Sequence, residues 1–136
     1  MKVILLKACE YSAPMGNGRQ TMVGIFDNIV VPHIPIDHPP FSLCAQVEFD
    51  QADSESDHQV FCRLIDPDAQ TLFDVALNIN HPRDPNGGST RVFISISVPG
   101  LRLEKLGDHR LELKLDGLKM GEETIPVLQV MTQPIA

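Results

Sequence analysis

The chain has 136 residues, a size typical of one domain, and 43% of them are hydrophobic, which argues against a disordered protein. Its formal net charge of −7 argues against binding to nucleic acid or to an anionic membrane surface, since both need a basic face. Eleven prolines favour β-structure, because proline breaks helices and is tolerated at strand ends and turns. We therefore expect residues 1–136 to form a single β-domain.

The three cysteines, Cys9, Cys44 and Cys62, form no CxxC pair, and an odd number does not make a disulfide framework. We predict unpaired and largely buried thiols, because mid-strand cysteines usually behave as small hydrophobic residues. The apolar run at residues 3–6 is shorter than the roughly 7–15 residues of a signal-peptide core. No run approaches the roughly 20 residues of a membrane span. We therefore expect a cytoplasmic protein in a reducing compartment.

Hydrophobic alternation and turn residues divide the chain into eight predicted strands. In chain order they cover residues 2–11, 21–31, 41–49, 58–66, 71–79, 90–98, 109–117 and 124–131. The strand at 41–49 is the clearest, because its apolar residues occupy every second position from Phe41 to Phe49. About eight strands at this spacing predict an antiparallel β-sandwich, immunoglobulin-like or C2-like, with one face of each sheet exposed to water.

The segments between these strands carry turn and loop signals. Residues 13–20 are rich in glycine and asparagine, and residues 50–57 form an acidic loop. The "DPDAQ" run that starts at Asp66 has proline at the second position of a turn. The Asp116-Gly117 pair is a hairpin signal.

Residues 99–108 are predicted to form a corner, with at most one helical turn near residues 100–107. His109 begins the next alternating strand, two residues after Gly107. Immunoglobulin-like domains often place a tyrosine there, whose hydroxyl group ties the corner down. We expect the imidazole of His109 to make the same kind of structural bond rather than to act in catalysis.

The segment between Val31 and Phe41 contains four prolines, at positions 32, 35, 39 and 40. Proline-rich backbone rises about 3.1 Å per residue, so this segment can cross between two sheets that pack about 10 Å apart. We call residues 32–40 the strap and predict a structural crossover, anchored by Phe26 and Phe41. Gly24, inside the preceding strand, indicates a bulge or a close approach of another backbone.

Four segments carry a resemblance to a known family. They are residues 24–29, with the "GIFDNI" strand, residues 32–41, with "HPPF", residues 63–70, with "RLIDPDAQ", and residues 107–117, with "GDHRLELKLDG". The chain resembles a family of bacterial proteins catalogued as domain of unknown function 6941. The resemblance implies a small, stand-alone, sandwich-like protein, and it supplies no activity and no catalytic residues.

Two sets of side chains are candidates for a metal site. His33, Asp37 and His38 lie in the strap, although zinc sites prefer tighter spacings such as HxH. The second set consists of loop carboxylates, since Ca²⁺ takes six to eight hard oxygen ligands. Its members are Asp50, Asp53, Glu55 and Asp57, with Asp66, Asp68 and Asp84 in two further loops. Solvated acidic loops explain the same residues without a metal.

No motif in the sequence supports catalysis or a cofactor. There is no G-x-S-x-G elbow, and "DPNGGST" lacks the lysine of a phosphate-binding loop. The leading hypothesis is a non-enzymatic binding or assembly module with a protein partner. The alternatives are a Ca²⁺- or Zn²⁺-binding domain and a small hydrolase that uses His33, His38 or His81. The sequence does not separate the first two of these hypotheses.

Overall fold

The computed structural model describes residues 1–53, 57–81 and 84–130. Eleven strands follow one another along this part of the chain. They are β1 (Lys2–Gly16), β2 (Arg19–Phe26), β3 (Ile29–Val31), β4 (Ile36–His38), β5 (Phe41–Phe49), β6 (Asp57–Ile65), β7 (Thr71–Asn80), β8 (Thr90–Val98), β9 (Leu101–Leu103), β10 (Gly107–Leu115) and β11 (Leu118–Gln129).

The strands form two large sheets and one small sheet. Sheet A has the order β2-β1-β5-β8, sheet B has the order β3-β11-β10-β6-β7, and β4 pairs with β9. The described residues contain no helix, and so none that could cross a membrane. The all-β prediction is therefore confirmed, and the corner near residues 100–107 contains β9 rather than the one helical turn that the prediction allowed.

The strand count differs from the predicted eight because of three short strands. The predicted strand at 21–31 is interrupted at Asp27 and Asn28, where the chain leaves sheet A and enters sheet B as β3. The strands β4 and β9 lie inside segments that were predicted as connections. The antiparallel prediction holds for every other pair but was wrong for β3, which runs parallel to β11.

Side chains from sheets A and B share one hydrophobic core. Alternate residues of β5 and β10 supply much of it, including Leu43, Val47, Leu111 and Leu113, none of which is more than 1% exposed. Each fully buried side chain of this size contributes about 1.5–3 kcal/mol relative to an exposed one. The period-two pattern in the sequence is thus the pattern of burial between the two sheets.

The central strand β5 is buried on its outer face as well, because the hairpin of β1 and β2 covers it. Ser12 of the hairpin donates a hydrogen bond to the hydroxyl group of Ser95 on β8, at 3.0 Å. Cys9 and Cys44 are each 0% exposed, and both are free thiols. Cys62 is a buried free thiol too, so the prediction of unpaired, buried cysteines is confirmed.

The strap joins sheet B to sheet A, as predicted. It leaves β3 after Val31, which is 3% exposed, and enters β5 at Phe41, which is 4% exposed. It is not one extended run, since it contains β4, which pairs with β9. Phe26 packs against Phe41 with ring centroids 5.6 Å apart, and His38 packs against Phe41 at 5.2 Å. His38 therefore anchors the strap together with Phe26 and Phe41.

The corner before β10 is closed by His109, as predicted. The side chain is 2% exposed, and its Nδ1 atom lies 3.0 Å from the carbonyl oxygen of Gly107. The Nε2 atom has no hydrogen-bond partner among the described residues. His109 therefore acts as a structural residue of the corner.

A buried carboxylate ties three strands of sheet B together. Glu112 on β10 accepts a hydrogen bond from Nε of Arg63 on β6 at 2.8 Å and pairs with Lys119 on β11 at 3.3 Å. Burial alone would raise the pKa of Glu112, but the hydrogen bonds and charges of Arg63 and Lys119 outweigh it and lower that pKa below its ordinary value.

We expect Phe41→Ala to lower the free energy of unfolding by about 3–5 kcal/mol, because it leaves a cavity where the strap enters the core. His38→Ala loses aromatic contacts worth about 0.5–1.5 kcal/mol. His33→Ala, at an exposed position, should change stability by less than about 0.5 kcal/mol and serves as the control. Chemical denaturation measures all three variants. A Phe41→Ala protein as stable as His33→Ala would contradict the anchoring role.

We expect Glu112→Gln to cost about 1–3 kcal/mol at neutral pH, because it removes charged hydrogen bonds. The folded-state pKa of Glu112 is lowered, so its contribution is present above the unfolded-state value of 4.5. It is lost as the pH falls through the lower, folded-state pKa. Unfolding of wild type and variant should therefore converge in acid. Glu104→Gln, at a carboxylate that is 67% exposed, is the control. A difference that persists unchanged in acid would refute this account.

Candidate functional site

The candidate metal ligands in the strap do not come together as one site. The Nδ1 atom of His33 lies 3.2 Å from the carbonyl oxygen of Pro35, and that of His38 lies 2.7 Å from the carbonyl oxygen of Pro39. Asp37 pairs with Arg102 at 3.3 Å. Each side chain has its own local partner.

The acidic loops are divided between two ends of the molecule. Asp50, Asp53 and Asp84 line one small cavity of about 110 Å³ together with His81. Asp66 and Asp68 lie beyond the other end of β6 and pair with Lys105. The sequence could not show which loops share an end, because this depends on the strand order.

Carboxylates at the small cavity accept hydrogen bonds from backbone N–H groups of their own turns. Asp53 accepts the backbone N–H of Asp50 at 2.8 Å and pairs with the amino terminus at 3.2 Å. Burial opposes ionisation, yet these partners lower the pKa of Asp53 below its ordinary value. Asp84 accepts the backbone N–H groups of Asn86 and Gly88.

Asp57 completes the set of candidate ligands that the structure describes, and it accepts a hydrogen bond from Asn80 at 2.7 Å. Glu55 lies outside the described residues. Within residues 1–53, 57–81 and 84–130, no group of three or more His, Cys, Asp or Glu side chains could hold a metal ion.

A stack of two histidines and a phenylalanine lies beside the small cavity. The ring of Phe49 packs on His81 with centroids 4.3 Å apart and on His58 at 4.6 Å. The Nδ1 atom of His58 lies 2.6 Å from Oδ2 of Asp116, and this hydrogen bond lowers the pKa of Asp116. No sequence pattern indicates this pairing, since it depends on β10 and β6 being neighbours. The stack closes one end of the core.

A larger groove of about 560 Å³ lies along the strap, within the range of about 300–1,000 Å³ typical of ligand sites. One wall is the edge strand β3 with its flanking residues. The other wall consists of aromatic, proline and isoleucine side chains from the end of β2, the strap and the start of β5. The lining residues are Glu10, Phe26, Asn28, Ile29, Val30, Val31, Pro32, Ile36, Asp37, His38, Pro39, Pro40 and Phe41.

The edge strand β3 lines this groove and has one free backbone edge. The carbonyl oxygen of Val31 accepts the backbone N–H of Val130 at 2.9 Å, so Val31 points its polar backbone groups toward β11. Alternate residues of an edge strand point opposite ways, and the N–H and C=O of Val30 therefore point away from β11. Among the strand pairs of the described chain, β3 has no partner other than β11.

Exposed apolar side chains continue from the groove onto the outer face of sheet B. Val30 is 56% exposed, its cross-strand neighbour Leu128 is 49% exposed, and Val130 is 47% exposed. Contiguous exposed apolar residues next to a groove are typical of interaction sites.

These features define an all-β protein with an edge-strand groove. The chain belongs to a family of unknown function, DUF6941, which it matches over residues 5–128. The resemblance inferred from the sequence segments is thus confirmed. No curated protein sequence matches the chain.

Among solved structures, the chain is similar to the crystal structure of a glycosyl hydrolase family 2 member from Bacteroides cellulosilyticus DSM 14838. The identity is 15% and the TM-score is 0.38. The match covers 87% of this chain and 18% of that protein. A likeness this distant assigns no activity.

We expect neither Ca²⁺ nor Zn²⁺ to raise the melting temperature, because the described candidate ligands are held by local partners. A metal present at about 100 times its dissociation constant would stabilise the fold by about 2.7 kcal/mol. Thermal melts with each metal and with a chelator measure this difference. A metal-dependent rise that Asp53→Asn or the double change His33→Ala with His38→Ala removes would show a metal site instead.

Proposed function

We propose that the protein is a non-enzymatic binding module with an immunoglobulin-like β-sandwich fold. The two large sheets share one core, which supports the sandwich assignment. Burial raises the pKa of Cys44 to about 11 and that of Cys62 to about 12, so both thiols are protonated at neutral pH. A protonated thiol is a poor nucleophile, which favours a binding role over catalysis.

The partner is a protein that contributes an extended segment to the groove along the strap. The observation that carries this proposal is the free edge of β3: the N–H and C=O of Val30 point away from β11, and Ile29, Val30 and Val31 line the groove. An extended chain adds to such an edge through backbone hydrogen bonds, and pockets for alternate side chains provide selectivity. Here the partly buried side chains of Phe26 and Ile36 form the apolar wall that receives those side chains, and the buried ring of Phe41 supports Phe26.

The structure of the strap favours a groove that exists before the partner arrives. The buried residues Val31 and Phe41 hold its ends, and the pairing of β4 with β9 holds its middle. A rigid site loses less conformational entropy on binding than a mobile one. The acidic chain and its exposed apolar residues then offer the partner both a charged and an apolar surface.

We expect Val30→Pro to weaken binding of an extended peptide by at least about two- to tenfold, because one backbone hydrogen bond is worth about 0.5–1.5 kcal/mol. Proline removes the N–H that points away from β11 and leaves the ladder to β11 intact, as edge strands tolerate. Val30→Thr keeps this N–H and is the matched control. The ligands are short random peptides displayed on phage, selected on the wild-type protein, then synthesised and titrated.

Nuclear magnetic resonance locates the selected peptides. Strand addition should perturb the backbone amide of Val30 more than those of Ile29 and Val31, whose amides face β11. Equal affinities of Val30→Pro and Val30→Thr would contradict the proposal. So would selected peptides that perturb only residues outside the groove.

A further inference from the structure

Glu10 lines the groove, and its side chain lies against the backbone of Gly24. Cys9 pairs with Ile25 and Tyr11 pairs with Val23, so Gly24 is the cross-strand neighbour of Glu10. A Cβ atom at position 24 would lie 2.8 Å from both Cγ and Cδ of Glu10, so the side chain lies across the glycine backbone. The φ angle of Gly24, +66°, also favours glycine. The prediction of a bulge or of a nearby backbone at Gly24 was wrong, because the atoms closest to it belong to the Glu10 side chain and the pairing shows no bulge there.

The carboxylate of Glu10 is the unneutralised charge of the groove. The hydrogen bonds and ion pairs of the described residues include none to Glu10, whereas Asp37, the other acidic lining residue, pairs with Arg102 at 3.3 Å. The described lining residues include no lysine or arginine. The groove is therefore electronegative within a chain of formal net charge −7.

Aromatic rings lie in the same groove as this carboxylate. Phe26, which is partly buried, lines the groove and packs edge to face at 5.6 Å on Phe41, whose ring is buried in the core. Aromatic faces attract lysine and arginine groups, and the aliphatic stems of these side chains pack on apolar surface. A carboxylate beside an aromatic ring is complementary to a long cationic side chain. The charged end of that side chain can pair with the carboxylate while its aliphatic stem packs on the ring.

We infer that the groove selects an extended segment that carries a lysine or arginine side chain, with Glu10 as the residue that receives the cationic group. This inference rests on the proposed function and names the partner's chemistry. Glu10 is a specificity residue rather than the source of the backbone pairing, which belongs to β3. Free small cations share this chemistry, and the experiment below separates them from a peptide.

The test uses matched charged and neutral ligands. Selected peptides are synthesised with arginine or with citrulline, its neutral analogue of similar shape, at each basic position. We expect the wild-type protein to bind the arginine form about three- to fivefold more tightly. Glu10→Gln should remove this preference, and added salt should weaken it, because the interaction is between charges. Asp74→Asn, which removes an exposed carboxylate from β7 at the opposite edge of sheet B, should keep it.

Two further measurements separate the inference from the proposed function. N-acetyl-arginine methylamide, a ligand without a strand to add, should perturb the resonances of Glu10 and Phe26, and its citrulline counterpart should not. Gly24→Ala, which displaces the Glu10 side chain, should reduce the arginine preference while melting as a folded protein.

The outcomes are distinct. Peptides that bind along β3 with no arginine preference, or with a preference that Glu10→Gln leaves intact, overturn the inference while strand addition stands. Binding of N-acetyl-arginine methylamide at Glu10, with no peptide bound along β3, overturns the proposed function and limits the inference to small cations. Absence of binding by both ligand types overturns both.

Discussion

The groove depends on how the strap is held, because its two ends are fixed by side chains buried in the core. Val31 enters the core from sheet B and Phe41 enters it from sheet A, so the chain between them must span from one sheet to the other. Prolines suit this span, since each fixes its own φ angle and keeps the preceding residue extended. The space left between the strap and the edge of β3 is the groove, so core packing and the site share the same anchors.

The sequence predicted the long strands well and the short ones poorly, for a physical reason. The bounds of β5 and β8 agree with the predicted ranges 41–49 and 90–98, because burial of one face over nine residues produces a clear alternation. Strands of three residues, such as β3 and β9, are too short for a period to be visible. They exist because a partner strand distant in sequence supplies their hydrogen bonds.

The candidate site was only partly accessible to sequence reasoning. The prolines and Phe41 indicated a structural strap, and Gly24 indicated a close approach, but neither indicates a groove. Its second wall is a free strand edge, and which edge is free depends on strand order. The histidines drew attention as metal ligands because of their residue type. In the structure the ring of His38 instead packs against Phe26 and Phe41 and so helps to anchor the strap.

The parallel pairing of β3 with β11 brings together residues 29–31 and 127–129, which lie 98 positions apart in the sequence. The edge strand that lines the groove is therefore positioned by β11, the last strand among the described residues. During synthesis and folding, residues 24–41 can be complete in sequence while their strand edge still lacks its support. Contacts between such distant segments form late and slowly in β-proteins. The groove of the proposed function is therefore complete only once β11 has paired with β3.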